Sequence, residues 1–182
     1  KGSYVNGQLT PQVAGGFDVG FALPLAHSSI WLRTAGGFAN GDRNSTVANF
    51  YFGGFGNNYV DDKSIRRYRE YSSFPGFGID EISALSFVRE LVELNVPPYV
   101  FESAGTPSFY LQSLRPSMFV AGLRSDPGNS ALRKDYASAG GQVDLHFSIL
   151  HRYEMTLSAG YAVGYQGSQR AGTEWMISLK IM

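Results

Sequence analysis

Hydrophobic and polar residues alternate along the last third of the chain. In GGQVDLHFSIL, residues 140–150, apolar side chains fall on every second position and polar ones lie between them. The alternation continues through RYEMTLSAGYAVGYQ at 152–166 and TEWMISLKIM at 173–182. Successive side chains of a strand point to opposite faces of its sheet, so the pattern predicts strands with one apolar and one polar face. The runs reach the roughly 9–11 residues with which a tilted strand crosses a bilayer.

The N-terminal part repeats the pattern in VAGGFDVGFAL (13–23) and SIWLRTAGGFA (29–39). The middle is less regular. Residues 81–98 also have near-helical apolar spacing, so a helix is an alternative there, although the final Pro-Pro favours a strand. Pro116 predicts a bulge or an irregular edge, because proline has no N–H for the ladder. The sequence thus predicts eight strands, at about 12–25, 28–40, 47–54, 81–97, 108–124, 138–150, 152–166 and 173–182.

Composition indicates where such strands reside. The 182 residues carry 15 basic and 15 acidic side chains, so the overall charge gives no sign of a nucleic-acid partner. Charged residues are only 16 % of the chain, aromatic residues 14 %, and no cysteine is present. No apolar run is long enough for a membrane-spanning helix. This combination is typical of an antiparallel transmembrane β-barrel in a lipid bilayer; a soluble β-fold is the alternative, with more charge expected on its outer faces.

The polar faces contain charged residues of both signs, which we expect to face a barrel lumen and to pair across it. They are Asp18, Arg33, Asp144, His146, Glu154, Glu174 and Lys180.

Asp144, His146 and Ser148 share one strand face and contain the residue types of a hydrolase triad. Neighbours on one face of a strand lie about 7 Å apart, too far for direct Ser–His bonding, so we expect lumen lining and no enzyme activity. His27 and His151 fall in predicted turns. Asp61-Asp62 alone lacks the oxygen ligands of a calcium site, and we expect neither a metal nor a cofactor.

The stretch FYFGGFGNNYVDD, continued by RRYREYSSFPGFGIDEI, resembles the bacterial surface antigen family, the BamA-like outer-membrane barrels. In that family a strand ending in Gly-Gly leads into a long extracellular loop, which folds back into the lumen and precedes five more strands. The resemblance assigns the strand end to Gly53-Gly54, the extracellular loop to 54–80, and the loop motif to Phe74, Pro75, Gly76 and Phe77. It implies a protein of the Gram-negative outer membrane that assists insertion or export of proteins or lipids.

The chain departs from the family at an ion pair. The arginine of the motif falls on Pro75, and its acidic partner falls near Ala121. Loss of both halves of a buried pair can be nearly neutral, whereas loss of one costs about 3–5 kcal/mol. Arg66, Arg67 or Arg69 can replace the anchor, with Asp80, Glu81 or Glu90 as candidate acceptors; a solvated basic loop is the alternative.

Size raises a further question, because the family has about twice as many strands. An eight-stranded barrel is just filled by its own side chains, so it has no space for a folded loop. We therefore expect one domain over 1–182 that forms half of a 16-stranded barrel, completed by another barrel portion or a partner chain. A self-closed barrel with the loop as an outer cap is the alternative. The other functions considered are a structural or anchoring subunit of a larger surface complex and an outer-membrane hydrolase using His146.

Overall fold

The computed structural model describes residues 2–5, 8–25, 27–56, 65–150 and 152–181, with side chains from residue 10 onward. Within these ranges no helix has the length and hydropathy required to cross a membrane. A short 3-10 helix covers Arg67–Arg69. The strands are β1 (Gly2–Val5), β2 (Gln8–Ala22), β3 (Ser29–Ala39), β4 (Phe50–Phe52), β5 (Ile82–Ala84), β6 (Ser86–Asn95), β7 (Tyr99–Val100), β8 (Gly105–Thr106), β9 (Phe109–Ser125), β10 (Lys134–Ile149), β11 (Tyr153–Gln166) and β12 (Gln169–Ile181).

One antiparallel sheet organises the chain, in the order β1-β2-β3-β6-β9-β10-β11-β12, with the short β7 and β8 also paired to β9. The all-β, antiparallel prediction is confirmed, and residues 81–98 form strands rather than a helix. Among the described residues, β2 and β12 are not paired with each other. Residues 12–22 of β2 therefore have a neighbour only on the β3 side, since β1 pairs with Gln8–Pro11 alone.

The short strand predicted at 47–54 is present, but it is shorter than expected and lies outside the main sheet. Only Phe50–Phe52 is extended, and it pairs with β5 in a separate two-stranded sheet. The rings of Phe50 and Phe52 pack edge-on against Phe87 of β6, with centroids 4.9 and 4.7 Å apart. Strand β4 is three residues long, and the side chains of Phe50 and Phe52 are buried. It therefore closes the end of the main sheet and does not extend it. The described main sheet has seven strands of ten or more residues, together with the short β1, β7 and β8.

Pro116 lies inside β9 opposite Val143, where the pairing with β10 is regular. On its other side, β9 pairs first with β6, which ends at Asn95, and then with β7, which begins at Tyr99. Pro116 lies opposite the gap between these two strands, where no ladder hydrogen bond from its nitrogen is needed. The expected irregular edge is therefore present on that side. The bulge in this part of the sheet lies in β9 at Gln112, the extra residue between the pairs His146–Ser113 and Phe147–Leu111.

The sheet has two unlike faces. One face, here called the covered face, packs against the described parts of the long connection between β3 and β6, residues 40–56 and 65–85. Aromatic side chains from that connection form a core with the covered face: Phe50, Phe52, Phe55, Tyr68, Phe74 and Phe77 meet Phe87, Leu91, Phe119 and Ala162. The opposite, apolar face is exposed, and includes Val13, Phe17, Val19, Phe21, Met118, Val120, Trp175, Ile177, Leu179 and Ile181.

Strand β6 inverts the usual polarity of a soluble sheet. Its buried positions are Phe87, Arg89, Leu91 and Glu93, whereas Val88, Val92 and Leu94 are exposed. Burying charge while exposing valine and leucine is unfavourable in water unless the charges are paired and the apolar side chains meet another apolar medium.

Candidate functional site

A buried carboxylate on the covered face holds the long connection in place. Glu93 of β6 is fully buried, and its Oε2 accepts a hydrogen bond from Arg69 Nε at 2.8 Å. Arg66 Nη1 lies 3.2 Å from Glu93 Oε1, and Arg33 Nε of β3 lies 3.6 Å from Oε2. Three guanidinium groups thus surround one carboxylate. We call Glu93, Arg33, Arg66 and Arg69 the arginine cluster.

Arg66 also contacts β10, which is separated from β6 by β9 in the sheet. Its Nε donates to Asp144 Oδ2 of β10 at 3.0 Å. The other oxygen of Asp144 accepts hydrogen bonds from Ser158 Oγ of β11 at 2.7 Å and from Gln142 Nε2 at 2.6 Å. The Arg66 side chain thus binds carboxylates on both β6 and β10. Gln142 and Ser158 in turn hold the Asp144 carboxylate in place. Charge-assisted hydrogen bonds of this kind are about twice as strong as neutral ones.

Tyr68 fills the space between the arginines and the sheet. Its hydroxyl donates to Ser117 Oγ of β9 at 3.0 Å, and its ring stacks on Phe119 with centroids 4.4 Å apart. Burial, together with the negative charge of Glu93, raises the pKa of Tyr68 to about 12. Burial alone would lower the pKa of Arg69, but its hydrogen bond to Glu93 and the charge of that carboxylate raise it above its usual value.

The Phe74–Phe77 motif docks beside the Gly53-Gly54 turn. Gly54 and Phe74 form an antiparallel bridge, and Gly54 N donates to the carbonyl of Phe77 at 3.0 Å. The carboxylate of Glu174, on β12, accepts one hydrogen bond from Phe55 N and one from Gly76 N, both at 3.1 Å. A single strand side chain therefore fixes both ends of this part of the connection.

Two glycines allow the motif to approach the sheet. Gly76 has a φ of +94°, a conformation that L side chains rarely adopt. A Cβ on Gly164 of β11 would lie 2.5 Å from the carbonyl oxygen of Gly76 and 2.5 Å from the ring of Phe77. Side chains larger than hydrogen at either position would separate the motif from β11.

The two positions at which the family resemblance places an ion pair meet at Ser138. The hydroxyl of Ser138, on β10, donates to the carbonyl oxygen of Pro75. Ser138 is also the in-register neighbour of Ala121 on β9. A neutral hydrogen bond thus joins the motif to the sheet where neither an arginine nor an acidic residue is present.

The expected acceptors for the loop arginines lie elsewhere. Asp80, Glu81 and Glu90 are all exposed. Glu81 accepts a hydrogen bond from Gly78 N within its own turn, and Glu90 points to the apolar face of β6. Arg66 and Arg69 bind Glu93 and Asp144 instead, while the carbonyl of Arg67 accepts a hydrogen bond from Ser73 at 2.8 Å.

The structure does not assemble the Asp144–His146–Ser148 trio into a relay. Asp144 is engaged by Arg66, Gln142 and Ser158. His146 Nδ1 instead lies 3.0 Å from Thr156 Oγ1 on the neighbouring strand. Asp144 and His146 are therefore each bonded to the neighbouring strand β11 and not to each other.

The remaining residues that were predicted to face the lumen lie at strand positions on the covered face. Asp18 pairs with Arg33 on that face. Glu154 lies in register with Ser148 at the end of β11, and Lys180 lies opposite Thr156. His151, Asp61 and Asp62 lie outside the described residues, so the calcium hypothesis has no geometry to compare. Within the described chain no group of three metal-binding side chains occurs.

The sequence did not identify Glu93 as a site residue, and it did not identify Arg66 as the partner of Asp144. Once 86–95 is accepted as a strand, Glu93 shares a face with the apolar Phe87 and Leu91. A lone acidic residue in such a series signals that a cation must cover it. The sequence signal existed, but its partner lies 24 positions earlier, within the connection.

Comparison of the chain with protein-family models, with curated protein sequences and with solved structures gave no significant match. The site is therefore interpreted from its own residues.

Proposed function

We propose that this chain forms part of the wall of an outer-membrane β-barrel in a Gram-negative bacterium, with the apolar face in lipid and the long connection folded into the lumen. Its role is to assist insertion or export of proteins or lipids, as the resemblance to the surface antigen family implies, and it is not an enzyme. The open order of the sheet, with no described pairing between β2 and β12, favours half of a larger barrel over a self-closed one.

The observation that carries this proposal is the attachment of the long connection to the polar face. Arg66 and Arg69 bind carboxylates on β6 and β10, and Glu174 of β12 binds the backbone of the motif. A connection that is fixed on three strands acts as a plug rather than as a free surface loop. An internal plug of this form suits a barrel that handles a client, whereas a passive anchor does not require one.

Two further observations support the same reading. The apolar face exposes large side chains along nearly every long strand, and a bilayer would cover them. Pro75 and Ala121 are both neighbours of Ser138, and this arrangement supports the resemblance although neither position carries a charge.

Lipid contact is tested with single cysteines, because the natural chain has none. Ile177→Cys on the apolar face and Ser178→Cys on the covered face are each labelled with a fluorophore and refolded into vesicles containing brominated lipid. We expect strong quenching at position 177 and little at 178. Equal quenching of the two neighbours would contradict the proposed orientation.

The client role is tested with Gly76→Ala, which places a Cβ against the backbone of Gly164 in a conformation unfavourable for alanine. In cells that depend on this protein, we expect reduced outer-membrane levels of other barrel proteins or of lipopolysaccharide. Gly128→Ala, a position with open space around it, is the matched control. Normal levels with a correctly inserted Gly76→Ala protein would favour the anchoring subunit instead.

A further inference from the structure

A buried arginine on the covered face has no acidic partner. Arg89 of β6 is 1 % exposed, and its Nη2 donates to the carbonyl of Tyr68 at 2.8 Å. Its Nε makes no hydrogen bond, and no carboxylate of the described residues lies within ion-pair distance of it. An ionised group buried without a counter-ion costs several kcal/mol, so such a position requires an explanation.

Arg89 borders a cavity of about 210 Å³ beside β2. The cavity exists because the neighbours of Arg89 across the sheet are small: Ala35 on β3 and Gly16 on β2 lie in register with it. Ala14, two residues before Gly16 on β2, lines the same cavity. The long arginine side chain therefore faces space that the adjacent strands leave unfilled.

The charges around this cavity are mostly positive. Arg33, Arg69 and Arg89 line it, with Asp18 as the one acidic residue of the lining. Asp18 already pairs with Arg33, and Arg69 is already bound by Glu93. The unsatisfied charge in the cavity is thus that of Arg89.

We propose that this cavity binds a carboxylate group through Arg89. A planar carboxylate matches the fork of a guanidinium. The volume of the cavity limits the ligand to a small group. The carboxylate has two sources. It belongs to a free small ligand, or to an acidic side chain of a strand that pairs with the open edge of β2. The second source rests on the proposed larger barrel, whereas the cavity and its charge do not.

The probe is sodium acetate, added to the refolded chain in detergent at constant ionic strength against sodium chloride. We expect acetate to raise the thermal unfolding midpoint saturably in the natural sequence, and Arg89→Met to weaken the apparent affinity at least tenfold. Arg124→Met, which removes an exposed arginine outside the cavity, should keep the full response. An acetate effect no larger than that of chloride, or one retained by Arg89→Met, overturns the proposal.

A second pair of variants keeps the test independent of the folding of Arg89→Met. Ala14→Glu supplies a carboxylate within the cavity, and Ala14→Gln supplies the same shape without charge. We expect Ala14→Glu to raise the midpoint and to abolish the acetate response, while Ala14→Gln leaves the response intact. Identical behaviour of the two variants contradicts a carboxylate site.

The acetate response of protein extracted from its own membrane distinguishes the two sources of the carboxylate. Acetate has no effect there if a side chain already occupies the cavity, and keeps its effect if the ligand is free. Failure of every acetate experiment removes this inference alone, because the bromolipid quenching experiment measures the barrel orientation separately.

Discussion

Removing the charge of Glu93 should release the long connection from the sheet. Glu93→Gln preserves the size of the side chain but leaves Arg33, Arg66 and Arg69 around a neutral group, at places where they now lie 2.5 to 3.6 Å from the carboxylate. Breaking a buried ion pair from one side costs about 3–5 kcal/mol. Because the glutamine carbonyl still accepts a hydrogen bond, we expect the lower end of that range, about 3 kcal/mol.

Urea unfolding of the chain refolded into vesicles measures this loss. With a urea dependence of about 1–3 kcal/mol per molar, a loss of about 3 kcal/mol lowers the midpoint by roughly 1–3 M. Trp31 is the natural reporter, since it lies in register with Glu93 on the adjacent strand. Trypsin provides a second readout, because Arg66 and Arg69 become cleavable once the connection detaches.

The matched control is Asp135→Asn, which breaks an exposed pair with Arg124. Exposed pairs contribute little, so this variant should unfold at the natural midpoint. If Glu93→Gln shifted the midpoint no more than Asp135→Asn, or if trypsin cleaved both equally slowly, the arginine cluster would not be what holds the connection.

Three more outcomes follow from the site. Since burial raises the pKa of Tyr68 to about 12, the folded chain keeps that proton longer than the unfolded chain; stability should fall as pH rises from about 10 to 12, and Tyr68→Phe should flatten this part of the urea-midpoint profile. Gly164→Val should cost about 1–3 kcal/mol in urea unfolding by pushing the motif from β11, whereas Gly128→Ala should be neutral. His146→Ala should cost about 1 kcal/mol through its lost bond to Thr156 and leave client assembly unchanged; loss of an esterase activity towards a nitrophenyl ester would instead favour the hydrolase.

The strands could be predicted because each long one alternates on its own. Residues 140–150 and 152–166 show the period without help from tertiary structure, and both are strands of the sheet. The overlong strand predicted at 47–54 came from a run in which only three residues are extended, between turns. Such a short run does not reveal whether it joins the main sheet or a local pair, because long-range packing on Phe87 decides it.

The contacts of the site were harder to predict. The basic residues of the connection were identified, but their acceptors depend on how the connection folds across the sheet. Glu90 and Glu93 are close in sequence, yet strand parity puts them on opposite faces. Asp144 reaches Arg66 across a separation of 78 positions, which neither spacing nor composition encodes.

The hydrogen bonds of Glu174 have a consequence for how the protein is made. They join β12 to residues 98 and 119 positions earlier, so the central segment cannot lock until β12 has been delivered and paired. Contacts so distant in sequence form slowly, since a long stretch must be ordered before they contribute. During biogenesis the covered face would thus stay open until β12 arrives, and pairing of β12 would itself allow the connection to close over that face.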